Sequence, residues 1–205
     1  MPESLVQVTS GGGPKLHTYQ RTIGANNVED EVVVNGEPYL ASYVAVSGAS
    51  TTAAGATHWQ LMAGASLNVY VRRIWVYQAA AATTAAIVPW TVQRLTTAGT
   101  GGTASTPVAY DTSDAACGAT FMAIPTVKGT ESVVLGTGYA YMVQTVAVSM
   151  QPGPSLLQMW DWSQVARSKC PRIAAGAANG IMVSNRAAVA GATVIVQIEF
   201  SEANF

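Results

Sequence analysis

The alternation of apolar and polar residues is clearest near the end of the chain. Between Thr193 and Ser201 every second residue is apolar, and the residues between them are mostly polar. A period of two with β-branched side chains is typical of a strand that buries one face. We therefore predict a half-buried final strand, with its buried face formed by Val194, Val196, Ile198 and Phe200.

The segment from Leu67 to Gln78 is rich in β-forming residues but changes phase in its middle. Its aliphatic residues lie at odd positions before Arg72 and at even positions after Arg73. Such a change within one strand is typical of a β-bulge, or of a strand that is covered on both faces. We expect one of these two arrangements at the arginine pair.

Further strand signals recur at intervals of roughly ten residues, separated by Gly, Thr and Ser turns. The strands predicted in this way are Trp59–Met62, Ala86–Thr96, Val108–Tyr110, Thr120–Ile124, Ser132–Leu135, Tyr139–Val148, Leu156–Trp162 and Gly180–Arg186. The Ala-rich run Ala79–Ala86 contains two threonines and lacks helix caps, so it is predicted to be a hairpin loop. The pattern predicts an all-β fold, an antiparallel β-sandwich of the jelly-roll type.

The N-terminal part of the chain differs from the rest. A Gly-Gly-Gly-Pro run at 11–14 and an acidic trio at 29–31 precede Val32–Tyr39, which resembles a strand, an Asn-Gly turn and a second strand. We predict an extended arm with the first strands over residues 1–46, followed by a single sandwich domain over residues 47–205.

The composition is unusual for an isolated domain. Hydrophobic residues make up 49% of the chain and charged residues only 10%, against roughly 25% charged residues in typical soluble domains. Charged side chains normally keep the surface of a free monomer hydrated. A surface of Ala, Thr, Ser, Gly and Val therefore indicates a subunit that is buried against neighbours, or a very stable secreted domain.

The distribution of charge and hydropathy argues against several partners. The formal net charge is −1 and no basic run is present, so the electrostatic footprint of a nucleic-acid-binding protein is missing. The sequence contains no apolar span of about 20 residues, which is the length that a transmembrane helix needs. The first residues lack the basic start and apolar core of a signal peptide, which favours synthesis in a cytoplasm.

The candidates for site chemistry are isolated from one another. His17 and His58 have no acidic partner at the spacing of a known catalytic motif. The acidic trio Glu29, Asp30 and Glu31 is predicted to be a solvated patch and not a cation site. The run Thr97–Gly102 lacks the lysine of a phosphate-binding loop. The pair Asp111 and Asp114 lacks the other ligands of a calcium loop, so an Asx-turn is predicted. We expect no enzyme activity, no cofactor and no metal.

The cysteines and aromatic residues each allow two interpretations. Cys117 and Cys170 are far apart in the sequence, and unpaired thiols are favoured over a disulfide. Five large rings could form a platform that stacks on sugars, but burial in the core or at an interface is favoured because the many small residues leave volume to fill. These rings belong to Trp75, Tyr77, Trp90, Trp160 and Trp162.

Three runs of the sequence resemble structural proteins of tailed bacteriophages. They are LNVYVRRIWVYQAAAATTAAIVPWTVQRLTTAGTGGTASTP from Leu67, YDTSDAACGATFMAIPT from Tyr110 and ANGIMVSNRAAVAGATVIVQIEFSE from Ala178. The resemblance extends over about residues 58–202 and consists of strands and loops without a catalytic signature. It implies a virion structural protein and assigns no site residues.

Together these observations predict a non-enzymatic capsid decoration (cement) protein that bridges capsomers on the head of a tailed phage. Its expected partners are the major capsid protein and copies of itself, arranged as a trimer, and its expected location is the capsid surface. Two alternatives stay open: a tail or head–tail connector component, and a carbohydrate-binding β-sandwich module. The candidate intersubunit contacts are apolar residues in and near the arm, namely Tyr19, Val32, Val33, Val34, Tyr39 and Tyr43.

Overall fold

A computed structural model gives the fold of the chain. It describes residues 3–7, 15–23, 26–31, 40–52, 58–144, 155–163 and 170–203. Within these ranges the secondary structure consists of strands, and no helix is present. The all-β prediction is confirmed.

The strands are numbered in chain order. They are β1 (Glu3–Gln7), β2 (Lys15–Ile23), β3 (Asn26–Glu31), β4 (Ser42–Val46), β5 (Ser50–Thr51), β6 (His58–Met62), β7 (Asn68–Ala80), β8 (Ala86–Leu95), β9 (Thr103–Ser105), β10 (Val108–Ala109), β11 (Thr120–Ala123), β12 (Glu131–Met142), β13 (Ser155–Asp161), β14 (Arg172–Ile173), β15 (Gly180–Asn185) and β16 (Thr193–Ala203).

The strands divide between two compact units, residues 1–39 and residues 40–205. In the first unit, β1, β2 and β3 form a three-stranded antiparallel sheet. In the second unit, one sheet has the order β10-β4-β16-β7-β13, with β5 beside β16 and β14 beside β7, and the other has the order β12-β8-β15-β6-β11-β9. Both sheets are antiparallel and they pack face to face, which confirms the β-sandwich. The jelly-roll connectivity and the N-terminal arm stay predictions.

The core lies between the two sheets and is formed by the inward positions of each strand. Two tryptophans at its centre, Trp59 on β6 and Trp90 on β8, are fully buried with ring centroids 5.8 Å apart. The opposite sheet contributes the inward side chains of β16, which alternate as predicted: Val194, Val196, Ile198 and Phe200 are all buried. Alternation along the strand is thus the signal that places residues in this core.

The predicted irregularity in β7 is a β-bulge. In the pairing with β16, Arg73 lies opposite Glu199 and Val71 lies opposite Phe200, so Arg72 is the extra residue of the bulge. This extra residue keeps the aliphatic side chains on both sides of the bulge in the core, because Val71 and Ile74 are both fully buried. One residue of bulge therefore explains the change of phase in the sequence.

Two predictions about connections and strand bounds are wrong. Ala79–Ala86 does not form a hairpin loop, because β7 and β8 belong to different sheets and the chain crosses the sandwich between them. Ala82, in the middle of this crossing, is fully buried. Similarly, Ser132–Leu135 belongs to the single long strand β12, which ends at Met142 and has two register shifts in its first half.

Two glycines explain why the sequence pattern divides β12 into separate strands. A Cβ atom at Gly136 would lie 2.8 Å from Nε1 of Trp160, and one at Gly138 would lie 2.5 Å from Cδ of Gln158. Both of these neighbours are on β13, at the edge of the other sheet. Glycine therefore allows the two sheet edges to approach closely, although in the sequence it resembles a turn residue.

This close approach gives a testable prediction. We expect Gly136→Ala to lower the free energy of unfolding by about 1–3 kcal/mol, because the added methyl group must displace the Trp160 indole. Gly48→Ala is the matched control, since a Cβ atom there has no neighbour within 4 Å. Chemical denaturation followed by circular dichroism measures both variants, and equal stability of the two would contradict the proposed packing.

Candidate interaction surface

The predicted intersubunit contacts fall into three groups. Tyr19 lies in β2, opposite Glu3 and Asp30 in the register of the small sheet. Val32, Val33, Val34 and Tyr39 lie outside the described residues, and their role stays a prediction. Tyr43 is the exception, because the structure places its side chain in the core.

Tyr43 is 2% exposed and is therefore a packing residue and not a surface contact. Its ring stacks on Phe200 at 5.6 Å, and its hydroxyl donates a hydrogen bond to the Ala115 carbonyl at 3.0 Å. The sequence pattern groups it with the arm, but β4 is an inner strand of the large sheet, between β10 and β16. Burial and the charge of Glu202 raise the pKa of the Tyr43 hydroxyl.

A buried carboxylate beside this tyrosine fixes the loop that leads into β11. Glu202, on the last strand, is 4% exposed. Its oxygens accept hydrogen bonds from the backbone N–H of Gly118 at 3.0 Å and of Ala119 at 2.7 Å. The thiol of Cys117 also donates to Glu202, at 3.5 Å. The carboxylate thus joins two distant parts of the chain, and its role as acceptor of these three donors is structural.

The environment of Cys117 makes it a poor nucleophile. Burial and the charge of Glu202 raise the pKa of the Cys117 thiol to about 12. Cys117 and Cys170 both lie in the described ranges, and no disulfide joins them. At neutral pH Cys117 is thus a protonated thiol that donates a hydrogen bond, in contrast to reactive cysteines, whose pKa is lowered.

We therefore expect slow labelling of Cys117 in the variant Cys170→Ser. At pH 8 the thiolate fraction, and with it the rate of reaction with a disulfide reagent, should be about 1,000-fold below that of an ordinary thiol. The rate should increase with pH and reach half of its maximum near pH 12, where half of the thiol is ionised. The same variant in denaturant is the control and should react at the ordinary rate. Rapid labelling of the folded protein at pH 8 would contradict this interpretation.

An apolar surface lies on the outer face of the seven-stranded sheet. Cross-strand register arranges its outward side chains in rows. One row contains Val46, Gln197, Trp75 and Met159, and the next contains Ile195, Tyr77 and Leu156. Of these seven residues only Gln197 is polar, and we call the set the apolar face. Its rim is well exposed, with 41% for Val46, 45% for Met159 and 50% for Leu156, whereas the central rings are half-buried.

A row of paired charges borders the apolar face. Nε of Arg73 donates to Oδ2 of Asp161 at 3.1 Å, and one of its terminal nitrogens lies 3.6 Å from Oε2 of Glu199. Burial acts to raise the pKa of Asp161, but hydrogen bonds from Ser163 and the charge of Arg73 outweigh it and lower that pKa. The guanidinium of Arg73 also lies 6.0 Å from the centroid of Trp75. One guanidinium thus pairs with two carboxylates inside the sheet, which leaves this row with a net charge of −1.

The five rings considered as a sugar platform do not share one surface. Trp90 is in the core, which confirms the packing interpretation for that residue. Trp160 and Trp162 are partly buried and pack against the core. Only Trp75 and Tyr77 share a face, two residues apart on β7. Their outward position follows from the bulge at Arg72, so the phase change in the sequence is the signal for this surface.

A second exposed apolar group lies on the other sheet. Tyr139 and Tyr141 on the edge strand β12 are 74% and 61% exposed, and Ile87, opposite Tyr141, is 69% exposed. The group spans two neighbouring strands, β8 and β12.

The other candidate residues have local structural roles. The carboxylate of Asp111 accepts hydrogen bonds from the N–H and the hydroxyl of Ser113, which confirms the Asx-turn and lowers the pKa of Asp111. In the run Thr97–Gly102, the side-chain amide of Gln60 donates to the carbonyl of Gly99 and accepts a hydrogen bond from its N–H.

No group of three metal-ligating side chains occurs among the described residues. The described ranges also contain no helix with the length and hydropathy needed to span a bilayer.

No protein-family model, curated protein or solved structure matches the chain.

Proposed function

We propose that the chain is a non-enzymatic structural subunit of a tailed-phage virion, in particular a decoration protein on the capsid surface. The observation that carries the proposal is the apolar face, which extends across four strands of the large sheet. Its rim residues are exposed in the single chain, and contiguous exposed apolar patches of this kind mark interaction sites. The resemblance of three sequence runs to phage structural proteins supports the same assignment.

The chemistry of the apolar face suits adhesion. Aromatic residues and methionine are enriched at the cores of protein interfaces, and the face has Trp75, Tyr77 and Met159 at its centre and rim. Arg73 is already paired with Asp161 and Glu199. Each of these three ions therefore already has a partner of opposite charge, so a protein that covers the face leaves none of them unpaired.

The proposed partners are the major capsid protein and other copies of the chain, arranged as a trimer. Each copy contributes a modest contact, and repetition over the lattice of the capsid makes the whole layer stable through avidity. The charged fraction of 10% fits this use, because few charges have to be dehydrated on assembly. The predicted arm contacts at Tyr19, Val32–Val34 and Tyr39 belong to the same proposal.

Co-sedimentation with undecorated capsids of the phage that encodes the chain tests the proposal. The variant Met159→Glu introduces a charge at an exposed position of the apolar face, so the fold is kept while docking is disfavoured. We expect its occupancy on capsids to fall at least about tenfold, the effect of roughly 1.4 kcal/mol per copy.

The matched control is Ile87→Glu, which introduces the same charge at an exposed position on the other sheet. Its occupancy should equal that of the unaltered chain. A chain that does not sediment with capsids would refute the decoration function. Equal loss in both variants, or in neither, would refute the assignment to the apolar face.

One observation favours a second candidate, a carbohydrate-binding module. Trp75 and Tyr77 are half-exposed on one face, and Gln197 lies directly opposite Trp75. Sugar recognition combines ring stacking with such polar groups. Titration of tryptophan fluorescence with oligosaccharides distinguishes the candidates, because saturable quenching that is lost in Trp75→Ala would favour the module, and no change would favour adhesion to protein alone.

A further inference from the structure

A pocket on the side of the sandwich, away from the apolar face, holds two arginines. It has a volume of about 390 Å³ and lies between the end of β8, the short strand β14 and the start of β15. Arg94 and Arg172 line it together with Thr96, Ser132 and Asn179. The remaining lining residues are Leu95, Ile173, Ala174 and Gly180, so no carboxylate contributes to the wall. We call this the Arg94 pocket.

Both guanidinium groups are held in place by neutral acceptors. Nη1 of Arg94 donates to the backbone carbonyl of Arg172 at 2.7 Å. Nη2 of Arg172 donates to Oδ1 of Asn68 at 3.1 Å, and the same oxygen accepts the N–H of Ala175 at 3.0 Å. A guanidinium has five N–H donors, so each arginine keeps donors for another partner. The bonds to neutral oxygens fix the positions of the two charges without neutralising them.

Two other arginines of the sandwich, Arg73 and Arg186, provide a contrast. Arg73 is paired with Asp161 and Glu199, and Arg186 is paired with Glu131 at 3.0 Å. In the part of the chain that the structure describes, neither Arg94 nor Arg172 forms an ion pair with a carboxylate. In a chain with so few charges, two unneutralised cations at one pocket are a specific feature. Two like charges that line one pocket repel each other, and an anion bound between them removes that repulsion.

We propose that the Arg94 pocket binds a phosphate group of a small phosphorylated molecule. Two fixed guanidinium groups match a dianion in charge, and their planar donor pairs match phosphate oxygens in geometry. The hydroxyls of Thr96 and Ser132 add neutral donors at the same wall. A monocarboxylate would leave one of the two charges uncompensated. The volume lies in the range of small-ligand sites and not of an extended groove for a polymer.

Isothermal titration calorimetry at pH 7.5 tests this proposal with the full chain. The titrants are inorganic phosphate, glucose 6-phosphate, acetate and a short single-stranded DNA, each against chloride of equal ionic strength. We expect saturable binding of the two small phosphates and much weaker binding of acetate. Arg94→Gln and Arg172→Gln should each raise the Kd for phosphate by about tenfold or more, because each removes one charge-assisted contact.

Lys128→Gln is the control, since it removes an exposed cation that does not line the pocket. Its Kd should not change. The thermal stability of each variant is measured without phosphate to show that the fold is intact. If the double variant Arg94→Gln and Arg172→Gln folds but binds phosphate like the unaltered chain, the proposal is overturned. The absence of saturable phosphate binding would also overturn it, as would binding of the DNA without binding of the small phosphates.

Discussion

Replacing Trp90 by alanine is expected to lower the free energy of unfolding by about 3–5 kcal/mol. Trp90 is fully buried between the sheets and lies 5.8 Å from Trp59, ring centroid to ring centroid. Alanine would leave a large cavity that the surrounding strands cannot fill, because the neighbouring inward positions on β8 are already buried Val88 and Val92. A loss of this size is a large fraction of the roughly 5–15 kcal/mol that stabilises a typical domain.

Trp75→Ala is the matched control for this prediction. Trp75 has the same side chain and lies on the adjacent sheet, but its ring is half-exposed on the apolar face. We expect a stability loss of only about 1 kcal/mol there, because less apolar area leaves water on folding. Denaturant unfolding followed by far-ultraviolet circular dichroism avoids the change in tryptophan fluorescence. Similar losses in the two variants would contradict the division of the tryptophans between core and surface.

Replacing Glu202 by alanine is expected to lower the free energy of unfolding by about 2–4 kcal/mol. The variant leaves the N–H groups of Gly118 and Ala119 without their acceptor at a site where Glu202 itself is 4% exposed. A buried donor that loses its partner costs most of its desolvation free energy. The loop before β11 should loosen as well, which hydrogen exchange at these two amides would report.

Glu202→Gln separates hydrogen bonding from packing. The amide oxygen can still accept the N–H of Ala119, but the amide nitrogen cannot accept the N–H of Gly118. We therefore expect a loss between that of Glu202→Ala and zero, with exchange faster at Gly118 than at Ala119. If Glu202→Gln were as damaging as Glu202→Ala, or if neither changed exchange at these amides, the proposed role of the carboxylate would be wrong.

Local signals in the sequence are sufficient for most strands of the sandwich. The alternation in β16 identifies its buried residues. The change of phase at Arg72 and Arg73 indicates either a bulge or a strand covered on both faces, and the structure shows the bulge. Both features depend only on residues that are close in the chain. Asp111 is similar, because an Asx-turn is formed within three residues.

Features that depend on distant residues could not be predicted in this way. The crossing at Ala79–Ala86 resembles a hairpin loop, since nothing local shows that β7 and β8 belong to different sheets. Gly136 resembles a turn residue because its neighbour, the Trp160 ring, is on another strand. The sequence pattern groups Tyr43 with the arm because its partners Ala115 and Phe200 follow much later in the chain.

The apolar face and the Arg94 pocket also differ in how far apart in the sequence their residues lie. The apolar face could in part be anticipated, since Trp75 and Tyr77 alternate with buried residues on one strand. The Arg94 pocket could not, because its two arginines are 78 positions apart and meet only through the pairing of whole strands.

A cryo-electron microscopy map of the phage particle that contains this chain tests the adhesive function directly. We expect density for the β-sandwich on the outer capsid surface, at the boundaries between capsomers, with Trp75, Tyr77 and Met159 facing the major capsid protein. A capsid without this density, or a bound sandwich whose apolar face is turned to solvent, would contradict the decoration function.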